Sequence, residues 1–249
     1  MYLRSLLHYK PNLSDKELRA ISGALLNELD ISEPIPSEKF ADITYEHEFQ
    51  GLQTPQKKVI KMSKAEYIDD FFKNGNLQLG TFNYYKQFED SEIGDKSEGS
   101  YLIIGQHKKI TAFAEIGLEY DNNYLFCCFD GEPDSDTIQK FGYDDFFEIL
   151  DIDGFSNAIK KTLKAREGFQ SKCIYKTDKV IVGKTPDDFN FAKISPKLKN
   201  LVNEKKYFLK PIMYKHQSEF RFLWEVDNGV GGTKVINCPE AIKYCKRGK

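Results

Sequence analysis

The apolar positions of the chain change period several times, and each change marks an element. Ser14 and Glu17 form a capping box ahead of Leu18, Ile21, Leu25 and Leu29, a spacing that predicts a helix. The prolines of ISEPIPSEKF predict a loop or boundary near residues 32–40. Residues 57–61 (KKVIK) predict a short strand. Ser63 and Glu66 make a second capping box, followed by one apolar helix face of Ala65, Ile68, Phe71 and Phe72. Gly75 fits the left-handed position that stops such a helix, and LQLGTF resumes as a strand.

Beyond that point strand-like patterns dominate. ITAFAEIGLEYDNNYLFCCF predicts two strands joined around residues 121–123, and FFEILDI a third. CIYKTDKVIVG predicts a hairpin across residues 177–179. Ile159 and Leu163 predict a helix over residues 155–166, and Ser195 and Pro196 open another. YFLKPIMY and EFRFLWEV are predicted strands, with DNGVGG a hairpin turn into TKVINC. A short helix from Pro239 completes the chain. The expected fold class is α+β, mostly antiparallel sheets with flanking helices. The expected organisation is an N-terminal helical segment, residues 1–40, beside a single α+β domain, residues 41–249.

The strand over residues 219–226 carries the sharpest candidate chemistry. Phe220, Phe222, Trp224 and Val226 share one face, which belongs in a core, while Glu219, Arg221, Leu223 and Glu225 share the other. Two carboxylates flanking a guanidinium suit the wall of a half-open cleft. They suit equally a solvated sheet face with cross-strand ion pairs. Lys61 and Ser63 stand where a strand ends and a helix starts, where free N–H groups and a lysine charge favour phosphate. The plainer role for Ser63 is the helix cap alone. Tyr84 and Tyr85 follow LQLGTF, placed either to stack on a base or nicotinamide ring or to fill the core with satisfied hydroxyls.

Composition narrows the classes. The 249 residues are 40% hydrophobic and 14% aromatic, enough for a packed core and against disorder. Thirty-six basic and 38 acidic side chains leave a net charge of −2, so no global field draws the chain to nucleic acid or membrane. No apolar run approaches the roughly 20 residues that span a bilayer. Five cysteines without metal spacing are expected as reduced thiols in the cytoplasm. His8, His47, His107 and His216 also lack metal spacing, and no nucleophile elbow, phosphate loop or dinucleotide fingerprint occurs. Glu89, Asp90, Glu92, Asp95 and Glu98 form an acidic run, either a magnesium site or, more simply, a solvated loop.

VIKMSKAEYIDDFFKNGNLQLG is similar to the opening of mono-ADP-ribosyltransferase-like proteins. Lys61, Met62 and Ser63 stand at that superfamily's first motif, with Lys61 in place of the usual His or Arg. SEFRF, with Glu219, resembles the glutamate-bearing strand of its last motif; the middle motif falls on Thr81 or the tyrosine pair. GNLQLGTFNYYKQFEDSEIGDKSEG followed by LFCCF also resembles a diffuse group of bacterial proteins of mobile and defence loci. The likeness covers residues 61–100, 124–129 and 213–226, less than half the chain. It implies NAD as substrate, with Glu219 as the catalytic carboxylate that stabilises an oxocarbenium-like state and orients the acceptor. It implies Lys61 and Ser63 on ribose or diphosphate and Tyr84 or Tyr85 on nicotinamide. Arg221 would pair with phosphate or neutralise Glu219. The implied setting is modification of a macromolecular acceptor, protein or nucleic acid, by a bacterial toxin or anti-phage defence protein. Two alternatives stand beside it. One is a metal-dependent nuclease using Glu89, Asp90, Asp95 and Glu98. The other is a non-catalytic recognition or immunity module on the same fold, which Lys61 in the first motif favours.

Overall fold

The computed structural model describes residues 44–46, 58–86, 98–99, 101–107, 110–117, 123–132, 135–176, 180–184, 206–227 and 231–248. The helices expected within residues 1–40 and at Ser195 lie outside these, as does the acidic run apart from Glu98. In chain order the strands begin with β1 (Thr44–Glu46), β2 (Val59–Ser63), β3 (Asn76–Leu79), β4 (Tyr101–His107), β5 (Ile110–Gly117), β6 (Asn123–Phe129) and β7 (Asp145–Ile149). They continue with β8 (Glu167–Lys172), β9 (Ile174–Lys176), β10 (Val180–Lys184), β11 (Leu209–Pro211), β12 (Glu219–Glu225), β13 (Lys234–Asn237) and β14 (Cys245–Arg247). The helices are α1 (Ala65–Asn74), α2 (Phe82–Lys86), α3 (Ser135–Lys140) and α4 (Ile152–Leu163), with 3-10 turns at Ile212–Gln217 and Pro239–Tyr244. The result is a mixed α+β fold with antiparallel sheets and flanking helices.

The chain divides into two compact units. One comprises Met1–Leu52, Gly99–Glu119 and Ile174–Met213; the other comprises Gln53–Glu98, Tyr120–Cys173 and Tyr214–Lys249. In the first, β10 lies between β1 and β4, parallel to both, and β5 pairs antiparallel with β4. A separate pair, β9 with β11, is also parallel. This corrects the hairpin expected across residues 177–179, since β9 and β10 pair with other strands. Strand β4 has no counterpart among the expected elements, because the short apolar run of YLIIGQH carries no decisive period.

The second unit holds, among the described residues, an antiparallel sheet in the order β14-β7-β2-β6-β12-β8. One face carries Val59, Tyr124, Phe126, Phe147, Ile149, Phe220, Phe222 and Trp224, buried together with Ile68 and Phe71 of α1 and Phe155 and Ile159 of α4. The aromatic face of β12 therefore enters the core as its alternation predicts. Trp224 stacks on Phe222 with rings 3° from parallel, and its indole N–H donates to the Ser156 carbonyl at 3.0 Å. A smaller sheet pairs β3 with β13, so DNGVGG does not fold β12 onto β13 as a hairpin.

Two helix ends have identifiable causes. Gly75 closes α1 at φ 78°, its N–H donating to the Phe71 carbonyl, as the sequence predicts. Helix α4 begins three residues earlier than its apolar spacing suggests, because the Asp151 carboxylate accepts from the Gly154 N–H at 2.8 Å. Asp151→Ala is expected to lower stability by about 1 kcal/mol. A urea titration reads this directly, and an unmoved midpoint would show that the cap contributes nothing.

Candidate functional site

Cross-strand register assembles the polar face of β12. Glu219 lies opposite Phe129, Arg221 between Cys127 and Ser171, and Leu223 between Leu125 and Phe169. Cys173 continues the Glu219 row, its N–H donating to the Glu219 carbonyl at 2.8 Å. The alternation holds, yet the face is neither solvated nor a half-open wall. Arg221 is 1% exposed, Glu219 6% and Leu223 fully buried.

Arg221 is the centre of this face. Its Nε donates to Glu219 Oε1 at 2.8 Å, and Nη1 and Nη2 donate to the two Glu98 oxygens at 3.0 and 3.2 Å. The Glu98 contact is a bidentate fork, the strong geometry for a guanidinium and a carboxylate. The guanidinium carbon also lies 5.6 Å from the centroid of the Phe82 ring. Burial works against the charge, but Cys173, Glu219, Glu98 and Cys127 outweigh it, and Arg221 ionises well above the ordinary guanidinium range. Glu98 is 3% exposed, which corrects its assignment to a solvated acidic loop. Among the described residues, no group of three or more His, Cys, Asp or Glu side chains is arranged to hold a metal ion.

The tyrosine pair lies on the short helix α2. Thr81, buried just ahead of it, accepts from the Tyr84 N–H through Oγ1 at 3.1 Å and so starts the turn. Tyr84 and Tyr85 meet edge to face with centroids 5.4 Å apart. Part of Tyr85 reaches solvent, but its hydroxyl end is enclosed. Burial, then Cys127 by charge and by hydrogen bond, and to a smaller degree Tyr143 and Glu219, push its ionisation well above the ordinary tyrosine range. Tyr85 is therefore a protonated phenol, held so chiefly by burial and by Cys127.

Lys61 and Ser63 belong elsewhere. Ile60 pairs with Phe129 and so shares the Glu219 face, which puts Lys61 and Ser63 on the opposite face with Val59. Lys61 donates to the Cys127 carbonyl at 2.9 Å, its ammonium 4.6 Å from the Phe126 ring centroid. Ser63 does not cap α1, a correction to the expected capping box. It is the last residue of β2, paired with Asp145, and the residue at the cap is Lys64, with no side-chain cap bond. The free Ala65 N–H is instead taken by Asp144 Oδ1 at 2.7 Å. A carboxylate already stands at this helix start, where a phosphate would otherwise be favoured.

The chain thus brings together Glu219, Arg221 and Tyr85, with Tyr84 beside the last, and separates them from Lys61 and Ser63 by the thickness of the sheet. Glu98, Cys127 and Cys173 join the cluster without having been singled out for it. Alternation in LFCCF separates Cys127 from Cys128, but only the register with β12 sets Cys127 beside Arg221. Ser218, immediately before Glu219, is a non-glycine residue at φ 40°. Its carbonyl accepts from the Asp130 N–H at 2.7 Å and its own N–H donates to Lys215. Ser218→Gly removes the left-handed penalty at some cost in chain entropy, and is expected to raise stability by up to about 1 kcal/mol. A lowered urea midpoint would show that the Ser218 side chain is needed there.

The second unit is an antiparallel α+β sheet with α1 and α4 on one face and a buried carboxylate–guanidinium cluster on the other. The chain matches no protein-family model, no curated protein and no solved structure. Among the described residues, no helix is long and apolar enough to cross a membrane.

Proposed function

We propose that this is an ADP-ribosyltransferase-like protein that takes NAD as substrate and modifies a macromolecular acceptor in a bacterial toxin or anti-phage defence setting. The observation that carries the reading is Glu219 itself: a carboxylate on an interior strand, buried and fixed through Oε1 by Arg221. In such a reaction the nicotinamide–ribose bond breaks and its electron pair leaves with nicotinamide. The acceptor bonds to the ribose carbon and gives up a proton. A carboxylate held in place stabilises the positive charge developing on the sugar without first having to reorganise. Arg221 is then a positioning residue, and Tyr84 and Tyr85 remain the candidates for the nicotinamide end. Lys61 and Ser63 share no face with Glu219, so the proposal does not use them at the same site. Incubation with labelled NAD, with cell extract, with nucleic acid or with no acceptor, is expected to release nicotinamide or transfer label. No turnover under all three conditions overturns the proposal.

A second reading, a non-catalytic recognition or immunity module, is favoured by one specific observation. Arg221 binds Glu98, after which the chain leaves this unit, and Glu219, whose carbonyl accepts from Cys173 at another exit. On that account the cluster ties down chain ends and Glu219 is structural. The nuclease alternative loses Glu98, whose two oxygens are both engaged by Arg221.

A further inference from the structure

We propose that Gly80 is a positioning residue for Tyr85, leaving the space that lets the phenol lie across the strand end with its hydroxyl on Cys127. Gly80 follows β3 and is clamped to β6, donating to and accepting from Leu125 at 2.9 Å each way. Its φ is not among the positive values of the described glycines, so backbone conformation does not demand glycine here. Space does. A Cβ at Gly80 would stand 2.7 Å from Tyr85 Cε2, 2.9 Å from Cζ and 3.1 Å from the hydroxyl oxygen. All three of these nearest atoms belong to Tyr85, and both backbone bonds resist a shift of Gly80.

What the close approach achieves is placement of a hydrogen-bonding hydroxyl. Cys127 lies directly opposite Arg221 on the Glu219 face, and the Tyr85 hydroxyl bonds to it while remaining protonated. Tyr85 therefore contributes a fixed donor to this cluster as well as an aromatic surface. The inference rests on the proposed transferase site for its catalytic meaning, but its test does not need NAD turnover.

The test follows alkylation of Cys127 by iodoacetamide against pH, quantified at that cysteine by mass spectrometry. An O–H bond to sulfur favours the thiolate, so Tyr85→Phe is expected to move the midpoint upward by about half a pH unit. Gly80→Ala is expected to move it in the same direction and by a similar amount, because the hydroxyl is displaced. In a Tyr85→Ala background the clash is gone, and adding Gly80→Ala is expected to change neither the midpoint nor the melting temperature. A wild-type midpoint in Gly80→Ala overturns the proposal. So does a loss of stability from Gly80→Ala that is as large in the Tyr85→Ala background as in the wild type. Where Gly80→Ala alone does not fold, the double variant decides, since the proposal requires it to fold like Tyr85→Ala. Absence of NAD turnover in the wild type would overturn the transferase proposal while leaving the thiol result intact.

Discussion

Arg221→Met is expected to destabilise the second unit by about 3–5 kcal/mol, the usual cost of stranding buried charges by removing one partner. The side chain is 1% exposed, and the acceptors Glu98 and Glu219 are 3% and 6% exposed. Methionine fills much of the same volume but removes the Arg221 N–H groups from three carboxylate oxygens. The loss therefore measures the stranded acids rather than the net worth of the pairs, and a simple control separates the two. Adding Glu98→Gln and Glu219→Gln to Arg221→Met removes both charges and is expected to recover most of the stability. Arg221→Lys keeps the charge without the planar fork and is expected to fall between. Urea unfolding of the four proteins is the measurement. A single-variant loss below about 1 kcal/mol would mean that water reaches the cluster, because exposed pairs contribute no more than that.

Glu219→Gln is expected to reduce nicotinamide release about 100- to 1000-fold, the range typical of removing one preorganised electrostatic stabiliser. The substitution is chosen because the amide oxygen still accepts from Arg221 Nε, which holds the 2.8 Å contact and with it the fold. Parallel urea titrations must show a cooperative transition for the loss to count as chemical. Release within about threefold of wild type would sink the catalytic assignment, since removing a general acid–base group alone costs about 100-fold or more. That outcome would leave the recognition-module reading in possession of the cluster, with Glu219 acting on the chain rather than on a substrate.

Both predictions depend on a face whose composition was legible and whose surroundings were not. The alternation of EFRFLWE separates Glu219 and Arg221 from Phe220, Phe222 and Trp224, and the sheet obeys it. Nothing in that pattern says that the polar face is also buried, or that Glu98, 123 residues before Arg221, supplies the second carboxylate. Ser63 shows the same limit at shorter range. Its spacing to Glu66 satisfies the capping-box pattern, but pairing with Asp145 keeps it in the strand and Asp144 takes over the helix start.

Elements with strong local period or punctuation were legible in the sequence: α1 and its stop at Gly75, the two faces of β12, the helix around Ile159 and the short helix from Pro239, although strand β14 and not that helix comes last. Only the tertiary structure decided which strands are neighbours. Two expected hairpins are absent, with β9 and β10 paired elsewhere and β13 on β3 instead of β12. The physical reason is that period two states which residues share a face but is indifferent to the strand that lies alongside. Closing a long loop costs only about 0.6 kcal/mol more for each doubling of its length, so nearness in sequence is a weak claim on pairing. The better fit of a distant strand wins, and with it comes the company that Glu219 and Arg221 keep.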